Sequence, residues 1–350
     1  MPTLRPLRLL FCLGFLLQNC RPLLRNLLSM SRTAVAVVLA LATASPRPAA
    51  AEPLPSGRSD REVAVAGRVL RIAVYRPDCR DIERLIVVFH GSDQNPMLAR
   101  DNAVPIAEAG CALLVAPLFD AEHFGRWAYQ FGGVGDVIET AGRRRFRLRL
   151  PDATTGALVL ALVDHLRREA GRPGMPYVLL GHSAGAQFLS RFAALEPNGA
   201  SRIVVANPGS HVTPDLTVRF PYGLGGIPDP PGGEAALQRY LAAPLVIIAA
   251  ERDVGRTGLL RTPGAERQGQ TRRERAVRTF EAARQAAAER GWAFGWKFIT
   301  VGGLGHGSGR LYARPETAEA VLGSTARQRE APDIRLLPHD PRGGDSDIPR

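Results

Sequence analysis

From Leu85 onward the chain alternates short apolar runs with longer amphipathic stretches. The runs are 85–89, 112–116, 177–181, 202–206, 245–250 and 295–301. Short apolar runs rich in Val, Ile and aromatic residues predict strands, and those without polar alternation predict strands buried on both faces. Between and after them lie helical patterns near 97–109, 154–170, 184–195, 273–290 and 315–328. Phe188, Leu189, Phe192 and Leu195 show the helical spacing, and the alanine-rich stretch Ala282 to Arg290 stops at Gly291, as a helix should. Glu62 to Tyr75 reads as a hairpin turning near Ala66-Gly67. Strands alternating with helices predict an α/β fold: a mostly parallel central sheet with helices on both faces. The stretch 207–240 is rich in proline and glycine and long for a connection, so a lid-like loop is expected there.

Both ends depart from this pattern. Met30-Ser-Arg, the apolar Thr33 to Ala44 and the small residues up to Ala51 have the layout of an export signal, with cleavage after Ala51 or Ala44. The expectation is a leader over 1–51 with its true start at Met1 or Met30, one domain over 52–330, and a disordered tail over 331–350 rich in Pro, Asp, Arg and Gly. The expected location is the periplasm or outside the cell, with no stable membrane insertion after cleavage, since no later run reaches the ~20 apolar residues of a span. The formal charge of +12 raises a nucleic-acid reading. It is set aside because the basic residues are arginines spread along the chain, with Lys297 the only lysine. The one cluster, Arg143 to Arg149, reads as a solvated loop with period-two features. No nucleic-acid partner is expected, and oligomeric state is not legible.

The chemistry starts at Gly181-His-Ser-Ala-Gly185, between a strand and a helix. In that context G-x-S-x-G is a nucleophile elbow, which marks Ser183. A serine hydroxyl needs a general base. Of seven histidines, His306 stands on the glycine-rich loop after the last strand, which suits the order Ser, acid, His. The acid that holds the imidazole tautomer is sought after the strand 245–250, where Asp253 is chosen over Glu251; Asp215 and Asp229 lie in the proline-rich connection. Oxyanion donors are expected from the amide of Ala184 and from Ser92 or Gly91, after the strand that ends at Phe89-His90. Gln94, Trp127, Tyr129 and His182 are named as substrate contacts, the aromatics because they sit where loops should shape a pocket. His182 adjoins the nucleophile, with its side chain expected to point away from the Ser183 hydroxyl.

On His90-Gly-Ser-Asp-Gln94, the elbow, Asp253 and His306, the chain resembles α/β-hydrolases. Within them it is similar to bacterial secreted esterases of the poly(3-hydroxybutyrate) depolymerase and feruloyl-esterase-like group. The likeness spans about residues 62–325 and includes Phe124 to Val134 and Ala206 to Asp215. It implies ester hydrolysis through an acyl-enzyme, on a small-molecule or oligomeric ester, with no metal and no organic cofactor. In that fold the strands 85–89 and 112–116 are parallel neighbours, which implies a Cys79–Cys111 disulfide. The alternatives are a serine peptidase or amidase on the same scaffold, and a catalytically silent binding protein.

Overall fold

The computed structural model describes residues 54–140 and 143–323. The leader expected over 1–51 and the tail expected from 331 fall outside the described residues.

The described residues open with a hairpin of β1 (Gly57–Val65) and β2 (Arg68–Arg76) around Ala66-Gly67. There follow β3 (Arg84–Phe89), α1 (Pro96–Ala109) and β4 (Ala112–Pro117). A small hairpin of β5 (Gly135–Thr140) and β6 (Arg143–Leu148) stands apart from the main sheet. Then come α2 (Thr155–Glu169), β7 (Tyr177–His182), α3 (Ala184–Leu195), β8 (Arg202–Ala206), α4 (Gly233–Ala242) and β9 (Leu245–Ala250). The last elements are α5 (Pro263–Gln268), α6 (Arg272–Arg290), β10 (Lys297–Val301), α7 (Ser308–Tyr312) and α8 (Pro315–Leu322).

Eight strands form one sheet in the order β1-β2-β4-β3-β7-β8-β9-β10. The β1/β2 and β2/β4 pairs are antiparallel and all others parallel. The apolar runs divide by parity. Leu85, Val87 and Phe89 join one core with α2, α3, α4 and α6, while Ile86 and Val88 join the other with α1, α7 and α8. β7, β8 and β9 split in the same way, so both faces are covered and no polar alternation survives. α3 is buried along its whole length, which is why it is apolar on nearly every side. The fold class read from the sequence is the one observed.

Two local expectations are corrected. The arginine run does not form a loop: Arg143–Leu148 is β6, paired antiparallel with β5. Its period of two is strand periodicity, with Phe146 packed on Trp127 and Phe220 while Arg145 and Arg147 face solvent. The stretch 207–240 is not one loop either. It ends in α4, and its first part, Asn207–Val212, is buried. Two buried arginines hold that part. Arg191 donates to the carbonyls of Ser210 (2.8 Å), Pro221 (2.8 Å) and His211 (3.2 Å), and Arg275 donates to that of Gly209 (2.5 Å). A loop with few bonds of its own can be buried when side chains satisfy its carbonyls.

Cys79 and Cys111 are bonded, with their Cα atoms 5.8 Å apart. The parallel β3–β4 pair brings them together just outside its N-terminal end, since Cys79 precedes β3 and Cys111 immediately precedes β4. The bridge spans 32 residues. Replacing both cysteines by serine is expected to lower stability by about 3 to 4 kcal/mol through unfolded-chain entropy, read as a fall in the urea midpoint. Two reactive thiols in the denatured, unreduced protein would show that the bridge is absent.

Candidate active site

The site sits at the C-terminal ends of the parallel strands, where open α/β sheets place their crevice. β7 runs straight into α3, and Ser183 is the hinge between them. Its backbone has φ 53° and ψ −109°, a region that side-chain-bearing residues avoid. The strain is held by close packing on both sides. A Cβ on Gly181 would lie 2.6 Å from the carbonyl of Gly185, and one on Gly185 would collide with the carbonyl oxygen of Phe89. The two glycines of the motif are therefore required by neighbouring backbone, and they thrust the serine above the sheet.

His306 follows β10 on the loop before α7. Its Nε2 lies 3.1 Å from Oγ of Ser183, and its Nδ1 lies 2.8 Å from Oδ2 of Asp253. The acid loop and the histidine loop are joined by backbone: Glu251 N–H donates to Val301 O at 2.9 Å and Arg252 N–H to Leu304 O at 2.8 Å. Asp253, 3% exposed, turns inward between them, while its other oxygen lies 3.4 Å from Nη1 of Arg272, itself 5% exposed. Arg272 also donates to Thr257 O at 3.1 Å. The buried carboxylate thus has both an imidazole and a guanidinium on it. Glu251 takes another role: its carboxylate accepts from Gly303 N–H at 2.8 Å and shapes the turn that carries His306. Asp215 is used up in capping its own turn at Thr217 and Val218.

Gly91, Ser92, Asp93, Ser183, His306 and Ser308 line part of a cavity of about 240 Å³ at this point. The amide of Ala184 begins α3, where N–H groups lack intrahelical partners and the helix dipole is positive. The amides of Gly91 and Ser92 likewise donate to no protein group among the described residues. All three are free to bind negative charge developing on a substrate oxygen.

His90 explains how this loop is held. It is buried, and its Nε2 accepts from Phe119 N–H at 3.0 Å, which fixes the proton on Nδ1, 2.8 Å from Gly91 O. Burial lowers its pKa, so it stays neutral and ties the end of β3 to the segment after β4. The sequence marks this residue only as a turn former.

Three of the named substrate contacts lie elsewhere. Tyr129 is buried against Phe119 and Phe188, and its hydroxyl donates to His90 O at 2.8 Å, so it holds the loop that carries Gly91 and Ser92. Trp127 belongs to an aromatic cluster with Phe131, Phe146 and Phe220 that packs the small hairpin on the loop before α4. Gln94 uses its side-chain oxygen to accept from Ala121 N–H at 2.8 Å, joining two rim loops. His182 does line the cavity, but its Nε2 donates to the carbonyl of His306 at 2.5 Å, with the two rings 4.7 Å apart.

His182 and His211 are held neutral by burial, each pushed down to about 3 from the ordinary 6.5. An unfolded chain takes up a proton at each below pH 6.5, whereas the folded chain does so only near pH 3. Their stabilising contribution is therefore complete above pH 6.5 and is lost as the pH falls toward 3. Between pH 7 and pH 5 the loss is about 2 kcal/mol per histidine. Urea unfolding at the two pH values checks it; an unchanged midpoint would contradict it.

The chain is 33% identical to LpqC, a poly(3-hydroxybutyrate) depolymerase from Bordetella parapertussis, with a TM-score of 0.67 over 74% of this chain and 88% of that one. It is 30% identical to poly(aspartic acid) hydrolase-1 from Sphingomonas sp. KT-1, with a TM-score of 0.65 over 73% of this chain and 96% of that one. No protein-family model and no curated protein matches the sequence.

Proposed function

Since this chain belongs to the α/β-hydrolases of the poly(3-hydroxybutyrate) depolymerase-like group, and is thus a hydrolase by kinship, we propose that it is an exported serine esterase working through an acyl-enzyme. The observation that carries the reading is the chain of hydrogen bonds from Ser183 Oγ through His306 to Asp253, set at a strained elbow beside free amides.

His306 Nε2 takes the proton of Ser183 as Oγ attacks the ester carbonyl. Asp253 keeps the His306 proton on Nδ1 and stabilises the imidazolium. The amides of Ala184 and of Ser92 or Gly91 receive the oxyanion, a donor of this kind contributing about 3 to 4 kcal/mol to the transition state. His306 then protonates the leaving alcohol, and the same groups run the sequence again with water to release the acid. The Cys79–Cys111 bridge supports an oxidising compartment, the periplasm or outside the cell. Among the described residues, no helix is long and apolar enough to cross a membrane.

Kinship to a poly(aspartic acid) hydrolase keeps an amidase reading in view. The protein is expected to hydrolyse p-nitrophenyl butyrate with kcat/KM at least about a hundredfold above that for butyryl p-nitroanilide, whose amine is the poorer leaving group. A preference for the anilide would replace the esterase by an amidase.

A further inference from the structure

The chain carries a formal charge of +12, yet among the described residues no lysine or arginine lines the cavity at Ser183. The one formally charged group there is the carboxylate of Asp93. A Cβ added to Gly91 would lie 3.2 Å from Oδ1 of Asp93 and 3.8 Å from Cβ of Ser183, so the carboxylate oxygen and the Ser183 Cβ are at most the sum of these apart and face the same cavity. Asp93 is exposed, and among the described residues it makes no ion pair and no side-chain hydrogen bond. Its charge is therefore left to act on whatever enters.

The rim continues this sign. Gln94 ties the Asp93 loop to the segment that carries Asp120 and Glu122, and the buried His90 imidazole feels the charge of both Asp93 and Asp120. Several nearby cations have acidic partners of their own. Arg272 lies behind Asp253, Arg100 is paired with Asp60 and Asp101, and His123 is bonded to Asp120. A basic protein thus presents an acidic lip at its reaction centre.

We infer that Asp93 makes this site discriminate by charge, accepting esters with an uncharged acyl part and disfavouring those whose acyl part carries a carboxylate. The inference rests on the serine-esterase reading and names the substrate class for it. The physical basis is repulsion between two like charges brought into one small cavity. Asp93 is solvated, so the effect is about tenfold and shrinks as salt screens it. On this reading the chain differs in substrate charge from its relative named for poly(aspartic acid), a polyanion.

Two esters of equal length test it: p-nitrophenyl methyl adipate, which is neutral, and p-nitrophenyl hydrogen adipate, which carries one negative charge. The protein should favour the neutral ester in kcat/KM by about tenfold at low salt, and about 1 M NaCl should compress that ratio. Asp93→Asn should lower the neutral-to-anionic ratio to about two, and Asp93→Lys should invert it. Equal turnover of the two esters, or a ratio unmoved in Asp93→Asn, would overturn the inference and leave the esterase intact. So would hydrolysis of poly(aspartic acid) as fast as of the neutral ester. No turnover of either ester, with no labelling of Ser183 by a fluorophosphonate, would overturn the inference together with the reading beneath it.

Discussion

Replacing Ser183 by alanine is expected to lower kcat on p-nitrophenyl butyrate by at least about 10⁴-fold. The substitution removes only the hydroxyl, and Ser183 Oγ bonds to no group of the described protein except His306. No core contact is lost, and alanine can occupy the strained elbow no worse than serine does, so the thermal midpoint should stay within a few degrees. The residual rate would come from the amides of Ala184 and the Gly91-Ser92 loop and from binding. A variant that keeps a tenth of the wild-type rate would mean that the acyl-enzyme forms elsewhere or not at all.

Asp253→Asn is expected to cost about 10⁴-fold in kcat, whereas Glu251→Gln should cost less than about tenfold. The two acids stand two positions apart, and the structure gives them different tasks. Asp253 accepts a hydrogen bond from Nδ1–H of His306 at 2.8 Å, so its carboxylate keeps the proton on Nδ1 and the lone pair of Nε2 toward the serine. An asparagine can offer an N–H to Nδ1 instead, which moves the imidazole proton to Nε2 and leaves no lone pair for the Ser183 hydroxyl. It also leaves the buried Arg272 guanidinium without its counter-charge, so some loss of stability should accompany the loss of rate. Glu251 bonds the backbone of Gly303, a contact that glutamine can keep through its side-chain oxygen. Rates normalised to titrated active sites separate catalysis from folding. The reverse ranking would make Glu251 the triad acid.

Much of this architecture could be read from the chain. The strands were legible because burial on both faces leaves uninterrupted apolar runs, and the elbow because steric demand fixes glycine at two positions around the serine. Asp253 and Glu251 were harder to separate. Both follow β9, and side-chain direction in a turn depends on backbone dihedrals that residue type does not set. Arg272 was invisible as a site residue, since it opens a helix of polar and alanine-rich character 19 positions beyond the acid it meets. Arg191 and Arg275 were invisible in the same way. Arginine reads as surface, yet these two are buried donors to the carbonyls of an irregular loop. Trp127 and Tyr129 look like pocket residues by type, but aromatic rings pack loops to a sheet as readily as they hold a ligand, and only the hydrogen bond from Tyr129 to His90 tells which.

The most direct test of the central claim, a serine activated by His306 at the elbow, needs no substrate at all. The protein would be treated with a fluorophosphonate and digested, and the modified residue located by mass spectrometry, beside His306→Ala. The account predicts one adduct, on Ser183, formed at least about a hundredfold more slowly in the variant. An adduct on another serine, or labelling of Ser183 at the same rate without His306, would contradict it.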